Sequence, residues 1–152
     1  MSQTTEIPLQ LLDPELDPPS YAHPGDAGAD LRSRVDLVIE PGHRAAVPTG
    51  VALALPRGLV GLVHPRSGLA LKHGVTVLNA PGTVDSGYRG EIVVTLLNTD
   101  RSEPFAIRRG DRIAQLVVQR HETAAFTLVP TLAAEDEPAA RGAGGFGSSG
   151  TR

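Results

Sequence analysis

Turn formers break this chain at short, even intervals. Between positions 35 and 64, Pro41-Gly42, Pro48-Thr49-Gly50 and Pro56-Arg57-Gly58 separate apolar runs at 35–39, 45–47, 51–55 and 59–64. Pro removes a backbone donor and Gly opens conformations closed to other residues, so each cluster ends an element. Strands recurring every roughly 8–12 residues between such turns form all-β sandwiches or barrels. The 17 glycines and 13 prolines carry this cadence and argue against a helical bundle. Further strands are predicted at 7–12, 75–78, 105–107, 113–119 and 124–129. Residues 92–98 are so continuously apolar that a strand buried on both faces is expected. Residues 82–91 resemble a hairpin tip with a strand on either side. A single short helix is predicted over 67–73, closed by Gly74.

Length and charge limit the function classes. The 152 residues suit one domain. The absence of Cys excludes disulfides and thiolate metal sites and suits a reducing compartment. The first residues show no basic and apolar leader pattern, and no apolar stretch reaches the length of a membrane span. A net charge of −3 gives no overall pull toward nucleic acid or an acidic membrane. Lys72 is the one lysine among 14 basic residues. Arginine favours bidentate phosphate contacts, although a coding bias toward Arg and Ala gives the same count. After Pro130 the composition shifts. Residues 133–140 are rich in Ala, Glu and Asp, and 141–152 are mostly Gly and Ser, so 133–152 is expected to be a flexible Gly-rich arm behind a domain spanning 1–132.

Four segments gather polar residues at turns. Asp26-Ala27-Gly28-Ala29-Asp30-Leu31 sets two carboxylates among small residues, which permits close approach of a ligand or a self-capped turn. Pro65-Arg66-Ser67-Gly68-Leu69-Ala70 opens the predicted helix. Free N–H groups, Arg66 and Ser67 there could hold an anion, or Ser67 could simply cap the helix. Asn79-Ala80-Pro81-Gly82-Thr83-Val84-Asp85-Ser86-Gly87-Tyr88-Arg89-Gly90-Glu91 offers Asp85 as a candidate general base and Tyr88 as a flat face. Arg141-Gly142-Ala143-Gly144-Gly145-Phe146-Gly147-Ser148-Ser149-Gly150 lacks the Lys of a Walker A loop, but its lone aromatic could stack on a base while Arg141 reaches phosphate. The five histidines have no metal-ligand spacing, and no Gly-x-Ser-x-Gly elbow is present. Any metal is therefore expected to be Mg²⁺ held by carboxylate, water and substrate phosphates.

Taken in order with Gly110-Asp111-Arg112-Ile113-Ala114-Gln115-Leu116, these segments resemble the five motifs of the trimeric deoxyuridine triphosphate nucleotidohydrolases, the dUTPases. The resemblance runs from about residue 7 to residue 150. It implies an all-β, jelly-roll-like β-barrel (a dUTPase-like β-clip) with one short helix. It implies a cytoplasmic, Mg²⁺-dependent enzyme that hydrolyses dUTP to dUMP and pyrophosphate, limits uracil in DNA and supplies dUMP for thymidylate synthesis. It also implies a homotrimer with shared active sites, each closed by the arm of a neighbouring subunit.

Carried over by residue, Asp85 would activate the water that attacks the α-phosphate. Asn79 and Gln115 would position water and phosphates, and Asp30 would act near the metal through ordered water. Arg66 and Ser67 would hold phosphate oxygens, with Gly68 among the substrate-binding residues. The backbone around Asn79 to Tyr88 would read the uracil edge, Thr83 and Val84 would be among the substrate-binding residues, and Tyr88 would pack on deoxyribose and crowd out a 2′-hydroxyl. Phe146 would stack on uracil, Arg141 and Ser148 would contact the terminal phosphates, and Gly147 would be among the substrate-binding residues. A dCTP deaminase-like enzyme and a catalytically silent nucleotide-binding module are the alternatives on this fold. Tyr88 and the Gly-rich arm favour hydrolysis over deamination, and Asp85 favours catalysis over silent binding. With Tyr88 and Phe146 assigned to substrate, the core must come from Val, Leu, Ile and Ala.

Overall fold

β-Branched and leucine-rich runs between the turns become ten strands, with one helix among them, in a computed structural model that describes residues 4–132. The expected arm at 133–152, with Arg141, Phe146, Gly147 and Ser148, lies outside the described residues. The strands are β1 (Leu9–Leu11), β2 (Ala29–Arg32), β3 (Leu37–Ile39), β4 (Arg44–Leu53) and β5 (Leu59–His64). After the helix α1 (Ser67–His73) come β6 (Val75–Val77), β7 (Gly82–Val84), β8 (Glu91–Asn98), β9 (Phe105–Ile107) and β10 (Arg112–Arg120). They form two antiparallel four-stranded sheets, β1-β4-β8-β6 and β2-β10-β5-β7, and a two-stranded ribbon of β3 and β9. This is the all-β, jelly-roll-like architecture expected, with its single short helix.

The inner faces of the sheets meet in a core of aliphatic side chains. Leu31, Ile39, Val47, Val94, Leu96 and Ile113 are almost fully buried. Each such side chain stabilises the fold by about 1.5–3 kcal/mol relative to exposure. No aromatic belongs to the fully buried set, and Phe105 packs at its margin. The buried side chains of Thr49 and Asn98 are paired: Thr49 Oγ1 donates to the Ile92 carbonyl at 2.7 Å, and Asn98 Nδ2 donates to the carbonyls of Ile39 (3.0 Å) and Glu103 (2.9 Å).

Several local expectations are corrected. Pro48-Thr49-Gly50 does not turn the chain; β4 runs through it, with a register shift against β8 between Pro48 and Ala52. Gly50 has φ +72°, so its left-handed conformation forms a bulge in place of a turn. β8 is not buried on both faces. Its exposure alternates, with Ile92, Val94 and Leu96 inward and Val93 49% exposed, because its outer face has no covering layer among the described residues. Residues 82–91 are not a hairpin: β7 pairs with β5, and β8 pairs with β4 and β6. The segment between them therefore crosses from one sheet to the other. Residues 124–129 form no strand and are exposed, since nothing pairs with their backbone. They belong to a second compact unit, Thr123–Arg152, that begins after the first, Met1–Glu122.

Candidate active site

The first cleft, about 520 Å³, lies on the outer face of the β2-β10-β5-β7 sheet. Asp30, Gln115 and His64 stand opposite one another on β2, β10 and β5, so pairing puts all three on one face. Their strand neighbours Leu31, Ala114 and Val63 point into the core. Asp30 holds two guanidinium groups. Its Oδ1 is 3.0 Å from Arg66 Nε, and its Oδ2 accepts a hydrogen bond from Arg112 Nη1 at 3.1 Å. Arg112 reaches this face because of a bulge. Three positions from Gln115, strict alternation would send it to the opposite side, but β10 shifts register between Arg112 and Ala114.

Gln115 also fixes the entry to α1. Its Nε2 donates to the Pro65 carbonyl at 2.9 Å. Gly28 leaves room for that side chain, since a Cβ there would collide with the carboxamide, 2.9 Å from Cδ. Arg66, not Ser67, occupies the N-cap position, with extended φ −98° and ψ 127° and no side-chain cap. Ser67 and Gly68 follow as exposed first-turn residues lining the cleft. Gly74 closes the helix in a left-handed conformation, φ 62°, with its N–H on the Ala70 carbonyl, as its sequence position predicts.

A second cleft, about 220 Å³, opens between the two sheets beside β7. Its floor is Val63, Val77, Val84 and Ile92, and its polar rim includes Asn79, Thr83, Asp85 and Tyr88. The floor is apolar because these side chains belong to the inner faces of both sheets. Among the described residues, the Asp85 carboxylate accepts no hydrogen bond, and it is exposed. Its backbone carbonyl accepts from Tyr88 N–H at 3.0 Å, which makes residues 85–88 a turn. Arg89 Nη1 donates to the carbonyls of Ser86 and Tyr88, both at 2.7 Å, and so clamps that turn.

The Tyr88 hydroxyl donates to the Glu91 carbonyl at 2.8 Å. Glu91 is itself anchored: its Oε1 accepts from Gly50 N–H at 2.7 Å, and its Oε2 lies 3.5 Å from Arg34 Nη1. Arg34 reaches on to the Leu12 carbonyl at 3.2 Å. Nearby, Arg109 Nη2 donates to Asp13 Oδ1 at 2.8 Å, and this hydrogen bond holds the Asp13 carboxyl below its ordinary 3.8. The same contact raises Arg109.

Structure thus gathers Asp30, Arg66, Ser67, Gly68 and Gln115 in one cleft and Asn79, Thr83, Val84, Asp85 and Tyr88 in the other. No residue lines both clefts. His64 and Val63 are consecutive on β5, yet one faces the first cleft and the other floors the second. The clefts therefore lie on opposite faces of one sheet. Arg112, Gly28, Arg89 and Glu91 were not assigned roles from sequence. Arg112 lies within a recognised motif, but only the bulge shows where it points. Among the described residues, no cluster of three or more His, Asp or Glu could hold a metal ion. No helix among them is long and apolar enough to cross a membrane.

An aliphatic jelly roll with a paired-arginine cleft and a glycine-rich acidic turn defines the class of the chain, an all-β protein with two separate polar clefts. A sequence model of the dUTPase family matches residues 15–150. The deoxyuridine 5′-triphosphate nucleotidohydrolase of Thermobifida fusca is 60% identical over 147 residues, covering 97% of this chain and 80% of that protein. That of Rhodococcus erythropolis is 59% identical over 150 residues, covering 99% and 89%. A solved variant of the Staphylococcus bacteriophage 80alpha dUTPase with dUpNHpp superposes with TM-score 0.86 at 29% identity, covering 97% of this chain and 99% of that one. A variant dUTPase of S. aureus phage phi11, with a coordinated structural Mg(II) ion, gives TM-score 0.79 at 26% identity, covering 86% and 100%. The chain belongs to the dUTPase family.

Proposed function

We infer that the chain hydrolyses dUTP to dUMP and pyrophosphate, at a site completed by two copies of the chain. The observation that carries the shared site is the placement of the two clefts on opposite faces of one sheet. A nucleotide whose phosphates lie on Arg66 and Arg112 can meet an Asp85 from a second copy. A closed trimer supplies that second copy to every site.

Each residue then has a physical task. Asp85, with no hydrogen bond to stabilise its charge among the described residues, is free to take a proton from water. The water oxygen attacks the α-phosphorus, the bond to the bridging oxygen breaks, and pyrophosphate leaves. Such a transfer depends on positioning and charge neutralisation more than covalent chemistry. Arg66 and Arg112 supply fixed positive charge, preset by Asp30, while Ser67 and Gly68 present hydrogen-bond donors to phosphate oxygens. Asn79 and the backbone near Thr83 and Val84 receive the base, and Tyr88 packs on the sugar.

Gln115 acts chiefly by holding the Pro65 carbonyl, which sets the start of α1. Asp30 suits an outer contact to Mg²⁺: its two arginine contacts leave carboxylate lone pairs for a metal-bound water. Mg²⁺ would supply further charge neutralisation there, with Asp30 as the residue of this chain placed to contact it through water. Arg141, Phe146, Gly147 and Ser148 lie outside the described residues, and the resemblance assigns them contacts to substrate that would exclude water. In the cell this activity keeps uracil out of DNA and furnishes dUMP.

Pyrophosphate release from dUTP, UTP, dCTP and dTTP with Mg²⁺ tests this function. Release from dUTP far above the others is expected. Formation of dUTP from dCTP would instead assign a deaminase, and tight dUTP binding without turnover would assign a silent module.

A further inference from the structure

We propose that Gly90 sets the sugar specificity of this site, by leaving the space that seats the Tyr88 ring. This rests on the role given above to Tyr88. Tyr88 folds back across the backbone two residues ahead of it. Its hydroxyl ends on the Glu91 carbonyl at 2.8 Å, and its ring rims the second cleft.

A Cβ on Gly90 would meet that hydroxyl at less than contact distance and lie 2.7 Å from Cζ and 3.1 Å from Cε2 of the ring. Real side chains do not tolerate such approaches, so any larger residue at 90 must displace the ring. Gly90 is not among the glycines with positive φ. Its backbone is open to other residues, and space against Tyr88 is what its missing side chain provides.

The ring cannot avoid the collision by carrying its anchor along. The Glu91 backbone that carries this carbonyl pairs with Ala52 of β4, and its side chain is held by Gly50 N–H at 2.7 Å and lies 3.5 Å from Arg34. Arg89 clamps the carbonyls of Ser86 and Tyr88 from below. With backbone and anchor fixed, a displaced ring breaks its hydroxyl contact and swings outward. The room so freed lies where Tyr88 would otherwise exclude a 2′-hydroxyl. Gly90 is thus a positioning residue acting through Tyr88.

The test is a double-mutant cycle on the full chain, read as the ratio of kcat/KM for dUTP over UTP. Tyr88→Ala should lower this preference, and Gly90→Ala should lower it about tenfold, the scale of a lost steric contact in a specificity pocket. The double variant Gly90→Ala/Tyr88→Ala should match Tyr88→Ala alone, because no ring remains to displace. A uniform structural loss would instead reduce both substrates equally and add in the double variant.

An unchanged preference in Gly90→Ala, with Tyr88→Ala impaired, overturns the proposal and leaves the Tyr88 role intact. An unchanged preference in Tyr88→Ala overturns both. A Gly90→Ala chain that folds only when Tyr88 is also Ala supports the proposal, since removing the ring removes the collision. Failure of both to fold overturns it, because the glycine then serves the backbone.

Discussion

The two clefts of this chain are built on opposite principles. In the first, Asp30 binds two guanidinium groups and Gln115 pins the turn into α1, so the charged groups are fixed before any ligand arrives. In the second, Asp85 stands on a clamped turn above an apolar floor, with no hydrogen bond to its carboxylate among the described residues. A polyanion needs preset positive charge, whereas a general base needs a carboxylate free to accept a proton. Satisfying both within one small pocket would pair the base with the arginines and depress its basicity. Placing them on opposite faces of a sheet keeps them apart within one chain, and in the shared site proposed above a second copy would bring them together.

Substitutions that separate the clefts should therefore have different signatures. Asp85→Asn should lower turnover by roughly 10²–10⁴ while nucleotide binding is retained. Its melting temperature should match the parent, as expected for an exposed side chain with no hydrogen bond to lose. Stopped-flow turnover and calorimetry would check both halves, and near-normal turnover would remove Asp85 as the base. Asp30→Asn should act the other way. Losing a charge-assisted partner for two arginines costs about 1.5–3 kcal/mol, so kcat/KM should fall by about tenfold or more and thermal stability should drop as well. An Asp30→Asn chain with parental stability and kcat/KM would show that the arginines do not need their anchor.

How much of this was legible in sequence follows the range of the interactions. The helix at Ser67–His73 and its Gly74 cap depend on neighbours a few residues away, and the turn cadence is local too, so both were readable. The hairpin expected at 82–91 was not, because turn chemistry cannot tell a return within one sheet from a crossing between two. β7 joins β5, some twenty residues earlier, through a pairing that no local pattern encodes. Pro48-Thr49-Gly50 looks like a turn and is a bulge, since pairing with β8 carries β4 straight through. Arg112 lay inside a recognised motif, yet its aim depends on one shifted residue in β10. The split of the site residues into two clefts was the least visible feature, because it follows from which face of a sheet each residue occupies.

The smallest expected effect lies outside both clefts. Asp13, hydrogen-bonded to Arg109 and so held below 3.8, stabilises the fold when ionised. That contribution is present above the unfolded value and fades as pH falls through the lower folded one. Asp13→Asn should thus be slightly less stable than the parent at neutral pH, with the two converging in strong acid. Urea titrations from neutral pH down past 3.8 would show this, and a gap that widens toward acid would refute the sign.

The shared site is tested most directly by complementation. Asp85→Asn chains keep the first cleft, and Arg66→Ala chains keep the second. Co-expressed with different affinity tags and purified as mixed assemblies, these two inactive chains should regain about a third of parental dUTP turnover, because every mixed closed trimer makes one of its three sites whole. Mixed assemblies no more active than either parent would place the whole site within one chain and contradict the account.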